Sequence, residues 1–228
     1  MESLRYGLEH ILYVIITTAL AVAGLLLAKK YAKTEKAKSL VIKGLGVFLL
    51  ASIMLNRISL ATIMYNNWIF LLPESFCGTT SLVLSLAMIF GKKDNAVYHF
   101  CWLIALFGAI ATAVYPEFID QHTSFFYLPT ISGMLHHSVS GAAVIAIFML
   151  GQMELSYKKW KAIIFGFTSY ITYGAFLMNV MGRDDAFSIV NPVVANTPFT
   201  VWFMAPIYIV VCTIILVVVE VVRRKKAK

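Results

Sequence analysis

Among the three cysteines and five histidines of the chain, Cys77 and the adjacent pair His136–His137 have the types and setting for nucleophilic chemistry. A neutral thiol is a poor nucleophile at pH 7, and a nearby imidazole can take its proton. A carboxylate or amide behind the imidazole would fix its tautomer, a role open to Glu74 or Glu9. Arg57 can stabilise a developing oxyanion or hold a lipid phosphate. His10 near the chain start, with Asn179 and Arg183, adds polar groups able to support a substrate. The competing reading of Cys77 is an inert, small core hydrophobe. Neither Cys101 nor Cys212 forms a CxxC pair with another cysteine, so no disulfide framework, zinc site or other metal centre is expected, and no cofactor. His99 and Cys101 stand at i and i+2, which do not share a helix face, and read as packing or interfacial residues. His122, in the stretch PEFIDQHTSFF, reads as solvated or facing lipid headgroups.

The elements that must position these groups follow from composition. At 60% hydrophobic and 13% charged residues over 228 positions, with mean hydropathy +0.82, the chain departs from globular usage of roughly 45–50% apolar and 25% charged. A cytosolic enzyme is excluded. The net charge of +8 reads as a cytoplasmic face held against anionic lipid rather than as a nucleic-acid surface. Seven apolar stretches run over about 8–28, 39–65, 69–90, 95–115, 128–151, 160–180 and 199–222, by the length needed to span a bilayer. The connections are short, without repeats or linker-like composition. The expectation is one all-α transmembrane domain over 1–228, a seven-helix bundle. The opening ESLRYGLEH has no cleavage pattern and reads as the lead into a retained helix.

Orientation follows from the bases. Sixteen of the nineteen Lys and Arg fall in alternate connections and the tail, leaving Arg5, Arg57 and Arg183 on the other side. The positive-inside rule then places the N-terminus outside and the C-terminus in the cytoplasm. Cys77 lies about 8 residues into the third stretch, roughly 12 Å deep at 1.5 Å per residue, and His136 and His137 lie equally deep in the fifth. Arg57 falls in the same outer half, whereas the inner halves of the last three stretches are nearly all apolar. Ionisable groups inside a bilayer are costly and point to function. The pattern describes a polar cavity open to the outside and closed below by hydrocarbon.

The run LLPESFCGTTSLVLSLAMIFGKKDNAVYHFCWLIALFGAIATAVYPEF resembles the central signature of the YwaF-like bacterial integral membrane proteins. The segments SFFYLPTISGMLHHSVSGAAV and FLMNVMGRDDAFSIVNP are similar to that family's helix-five His region and its Asn with a following outer loop. The resemblance covers nearly the whole chain in order. Animal relatives are the transmembrane protein 164 acyltransferases, described as cysteine-dependent and acting on phospholipids. The resemblance implies that Cys77 accepts the acyl group and that the helix-five His is its base, with His137, followed by the small Ser138, matching better than His136. It implies a membrane phospholipid as donor, an acyl acceptor of unknown identity, and a multi-pass protein of a bacterial plasma membrane. Around the cysteine the chain departs from the family, with Glu-Ser-Phe where bacterial members often carry His or Gln. The alternative function is a small transporter or substrate-binding subunit using Arg57, Glu74 and Asn179 on a solute, without covalent chemistry. Against it, no inverted repeat and no pair of broken midplane helices stands out.

Overall fold

The computed structural model describes residues 5–116, 124–193 and 195–226; His122 lies outside them. Within them the regular structure is all helical. Seven α-helices follow in order: α1 Leu8–Tyr31, α2 Glu35–Ser59, α3 Phe76–Phe90, α4 Ala96–Val114, α5 Leu128–Met149, α6 Trp160–Asn179 and α7 Val201–Lys226. Six of these are long and apolar enough to cross a membrane; α3, with 15 residues, is the shorter one.

Two boundaries differ from expectation for readable reasons. The second helix begins at Glu35, where the Thr34 hydroxyl caps it by accepting the Ala37 N–H at 3.1 Å. The continuous third stretch expected over 69–90 is instead broken. A 3₁₀ turn over Trp68–Leu71 leads into an extended segment, and α3 starts only at Phe76. Pro73 lacks an N–H and disfavours helix in the residue before it. Ser75 then caps α3, its hydroxyl accepting the Gly78 N–H at 3.1 Å. Cys77 is therefore the second residue of α3 rather than a residue two turns down a longer helix.

The bundle is organised around α2, which packs along α3 and α5, while α4 lies against both α3 and α5. Leu49, Leu84, Cys101, Ala143, Ile147 and Leu177 form the buried centre. The close approach of α2 to α3 depends on Gly46, where a Cβ would lie 2.7 Å from that of Met88. Helix α6 leans on α4 and α7 on α6. Helix α1 is peripheral, with His10 as its only buried residue. It is apolar all round, as a helix bathed in lipid can be.

The two ends of the bundle are chemically different. At one end, Lys93 on the α3–α4 connection pairs with Glu35 at the start of α2 at 3.2 Å, and Arg223 near the chain end pairs with Glu154 on the α5–α6 connection at 3.0 Å. Asp94 joins the α3–α4 and α5–α6 connections, bonding Lys159 at 2.8 Å, His99 at 2.7 Å and the Glu154 N–H at 3.2 Å. Burial raises the Asp94 carboxyl, but these three partners outweigh it and hold the group below its ordinary value. At the opposite end Arg5 stacks over Tyr115, close to the α4–α5 connection. Arg5 and Arg223 thus lie at opposite ends of the bundle.

Candidate functional site

The π-helical turn Leu60–Met64 closes α2 and widens it beside α5. Such wide turns recur at functional sites. With the starts of α3 and α5 it encloses a cavity of about 260 Å³ lined by Arg57, Tyr65, Ser75, Thr130, His136 and His137, among others. On α5, Thr130, Gly133 and His137 recur at helical spacing and form one face toward it.

Cys77 and His137 meet at Gly108 of α4. A Cβ built on Gly108 would lie 2.9 Å from the Cys77 Sγ and 3.2 Å from the His137 Nδ1. Sulfur and imidazole are therefore no farther apart than those two distances combined, and three helices converge there. Cys77 is partly buried. Its position in the first turn of α3 faces it with the positive end of the helix dipole, favourable to negative charge developing on sulfur. His136 has a different partner: its Nδ1 lies 3.1 Å from the Ser81 hydroxyl on α3, in a fully buried setting. The two imidazoles pack at 4.2 Å between centroids. The structure thus separates the adjacent histidines, one against the thiol and one tied to a serine.

Arg57 is buried in the cavity wall, its Cζ 4.0 Å from where a Cβ on Gly78 would lie. Its Nη2 donates to the Asn56 Oδ1 at 2.6 Å, and the Asn56 amide donates to the Pro129 carbonyl and the Ser132 hydroxyl, each at 3.2 Å. The Arg57 Nε is buried without a partner, and no ion pair to Arg57 occurs among the described residues. Glu74, expected as a possible imidazole partner, is instead committed to Arg183 in a close ion pair. The Arg183 guanidinium also lies 3.8 Å from the Phe70 ring centroid, and Phe70 stacks on Tyr65 at the cavity wall. The Glu74 carbonyl accepts the Phe187 N–H at 2.7 Å, so this clamp ties the approach to α3 to the α6–α7 connection. Burial lowers the Arg183 guanidinium from its ordinary value, with Tyr65 and Asp184 opposing.

Three of the expected supporting residues are elsewhere. His10 is buried against Phe125, accepting the Tyr6 N–H at 3.2 Å, and does not line the cavity. Glu9 is exposed. Asn179 is exposed and donates to the Ala175 carbonyl of its own helix at 2.9 Å. The buried face of α6 is carried by Tyr170, Gly174 and Leu177, and helix rotation turns Asn179 away from it. Gly108 lies in the family-like run with no role read for it from the sequence, although an isolated glycine in an apolar helix is a signal of close approach.

No curated protein and no solved structure matches the chain significantly. A family model does, over residues 5–222, nearly its full length. The chain is a multi-pass, all-helical membrane protein that belongs to the TMEM164 family.

Proposed function

We propose that this protein is a cysteine-dependent acyltransferase acting on phospholipid acyl chains through a thioester on Cys77. The observation that carries the reading is the convergence of the Cys77 Sγ and His137 Nδ1 on Gly108. Family membership is compatible with a membrane acyltransferase role. In the first half-reaction His137 takes the thiol proton, and sulfur attacks the lipid ester carbonyl carbon. The tetrahedral intermediate then re-forms the C=O as the bond from that carbon to the alkoxy oxygen breaks, and the leaving alcohol receives the proton from His137. In the second, His137 deprotonates an acceptor hydroxyl or amine. The acceptor attacks the thioester, and the sulfur leaves and is reprotonated. With the Gly78 N–H taken up by the Ser75 cap, the Phe76 and Cys77 N–H groups lack intrahelical acceptors and are the candidate donors to the tetrahedral oxyanion. Ser81 positions His136, which packs the His137 ring from behind.

The same reading includes a single domain of seven crossings, with the N-terminus outside, the C-terminus cytoplasmic, and the cavity opening outward in the plasma membrane. Support comes from the ends of α3: Glu74, just before it, pairs with the α6–α7 connection, and Asp94, just after it, pairs with the α5–α6 connection. Those connections lie at opposite ends of α6, so the short α3 runs the length of the bundle. The cavity sits at the end away from the Lys-rich connections, which the positive-inside rule assigns to the cytoplasm.

Intact mass spectrometry of the protein supplied with mixed phospholipids tests the chemistry. A hydroxylamine-labile adduct of fatty-acyl mass is expected on the wild type and not on Cys77→Ser. Lipid acyl exchange that continues undiminished in Cys77→Ala would refute the mechanism and favour a binding or transport role for the cavity.

A further inference from the structure

Arg57 carries a charge that the protein itself leaves uncompensated. The side chain is 8% exposed, it lines the cavity, and its one side-chain bond is to the Asn56 carbonyl. A guanidinium has five N–H donors. Here Nε is buried with no acceptor at all. Removing one member of a buried ion pair is strongly destabilising because it leaves an isolated charge, and Arg57 occupies that situation from the outset. The charges around it do not cancel it. Arg183 is the nearby cation, and Glu74 neutralises that one. The other ionisable groups around it, Tyr65, Tyr173, His136 and His137, include no carboxylate. The cavity is therefore left with the equivalent of one positive charge awaiting one negative charge.

We propose that Arg57, held by Asn56, is the binding site for the singly charged phosphodiester of a lipid headgroup. A guanidinium matches phosphate oxygens in a two-point geometry that an ammonium cannot reproduce. Asn56 acts as a positioning residue: its amide is fixed by the Pro129 carbonyl and the Ser132 hydroxyl, so its own carbonyl oxygen is aimed at Arg57. Because Arg57 and His137 line one cavity, a headgroup held at Arg57 would bring the ester-bearing part of the same molecule toward the thiol. The proposal rests on reading this cavity as the lipid site but not on the thioester step.

The test uses the full chain carrying Cys77→Ala, so that no acyl chemistry intervenes, with bound lipid read by native mass spectrometry. Phosphatidylglycerol is compared with diacylglycerol of the same chains. The expected result is a preference for the phosphodiester lipid of roughly tenfold or more, the scale of hydrogen bonds to a charged group. Arg57→Gln should abolish that preference, and Arg57→Lys should keep part of it, since charge remains while the planar fork is lost. Equal retention of the two lipids before any change at Arg57 would overturn the proposal without depending on how a variant folds. A preference surviving in Arg57→Gln would overturn it too. Inorganic phosphate is the third arm: displacement of the lipid at millimolar phosphate would make the free anion the ligand and overturn the headgroup assignment. Failure of thioester formation in the Cys77 protein would refute acyl transfer and leave this binding result standing.

Discussion

The substitution Gly108→Ala adds one methyl group at the point where α3, α4 and α5 meet. The new Cβ would lie 2.9 Å from the Cys77 Sγ, 3.2 Å from the His137 Nδ1 and 3.5 Å from its Cε1. Ordinary non-bonded contact falls at about 3.5–4.0 Å, so sulfur must retreat by roughly 0.6–1 Å and the imidazole by a few tenths. The methyl presses on both groups at once, so both must move away from it. Misplacement of reacting groups by about 1 Å costs on the order of 10²-fold in rate, and a loss of that size is expected in thioester formation and acyl exchange. Stability should respond much less. Overpacking costs about 1–3 kcal/mol, but replacing a mid-helix glycine returns about 1 kcal/mol of helix propensity, leaving a net change of roughly 0–2 kcal/mol. Gly44→Ala is the control, because a Cβ there meets nothing within 4 Å. The assay pairs acyl-adduct formation with a thermal melt in the same detergent. Wild-type adduct formation in Gly108→Ala would refute the placement of thiol and imidazole against Gly108, and a collapse in melting temperature equal to the loss of activity would reduce the glycine to a packing residue.

Three further perturbations read other parts of the molecule. Arg57→Met removes a buried, unpaired charge, and the melting temperature of the lipid-free protein should rise; a fall would mean that the Asn56 bond alone compensates the guanidinium. Glu74→Gln and Arg183→Gln each break a pair that is 31% and 11% exposed on its two sides, and a double-mutant cycle should give a coupling of about 1–2 kcal/mol, between the surface and buried regimes; additive effects would remove the clamp from the account. Asp94, with an ordinary value of 3.8, is held lower in the fold by Lys159, the Glu154 N–H and His99. A carboxylate so depressed stabilises the fold above its unfolded value, and that contribution is lost as pH falls through the folded one. The melting temperature should therefore fall more steeply below about pH 4 in the wild type than in Asp94→Asn, and parallel curves would contradict the assignment.

Much of the architecture is written in hydropathy, because a backbone in lipid must satisfy its own polar groups and so takes the helical form wherever the side chains are apolar for long enough. The limits of that signal are visible around residues 65–76. Residues 69–76 are apolar enough to read as helix, yet the 3₁₀ turn ends at Leu71 and Pro73 breaks the chain before Ser75 restarts it. The depth of Cys77 was accordingly inferred along a helix that is not there. What composition could not supply is rotation. His136 and His137 differ by about 100° around one helix, and only the positions of Ser81 and Gly108 on two other helices decide which one meets the thiol. Depth and the family resemblance point to Asn179 and His10, but rotation turns Asn179 away from the site, and His10 is buried against Phe125 on the peripheral α1. The pairing of Glu74 with Arg183 joins segments far apart in sequence, and no local pattern announces it.

The contrast between the two ends of the bundle bears on which end works. At the Lys-rich end the charged groups find one another: Glu35 with Lys38 and Lys93, Asp94 with Lys159 and His99, Glu154 with Arg223. Asp94 takes a positive φ of 57° there, but the strain is matched by three side-chain bonds. At the cavity end more local rules are broken at once. A π-helical turn ends α2, Phe187 and Ser188 adopt positive φ in succession, two imidazoles stack side by side, and a guanidinium is buried with an idle donor. Bulky residues with positive φ and isolated buried charges each cost free energy, and a fold tolerates them together only where something other than stability selects them. The same end holds the one thiol of the three that is not fully buried. On the proposed function, chemistry at this end and an anchor against anionic lipid at the other account for both halves of the asymmetry with one arrangement of charge.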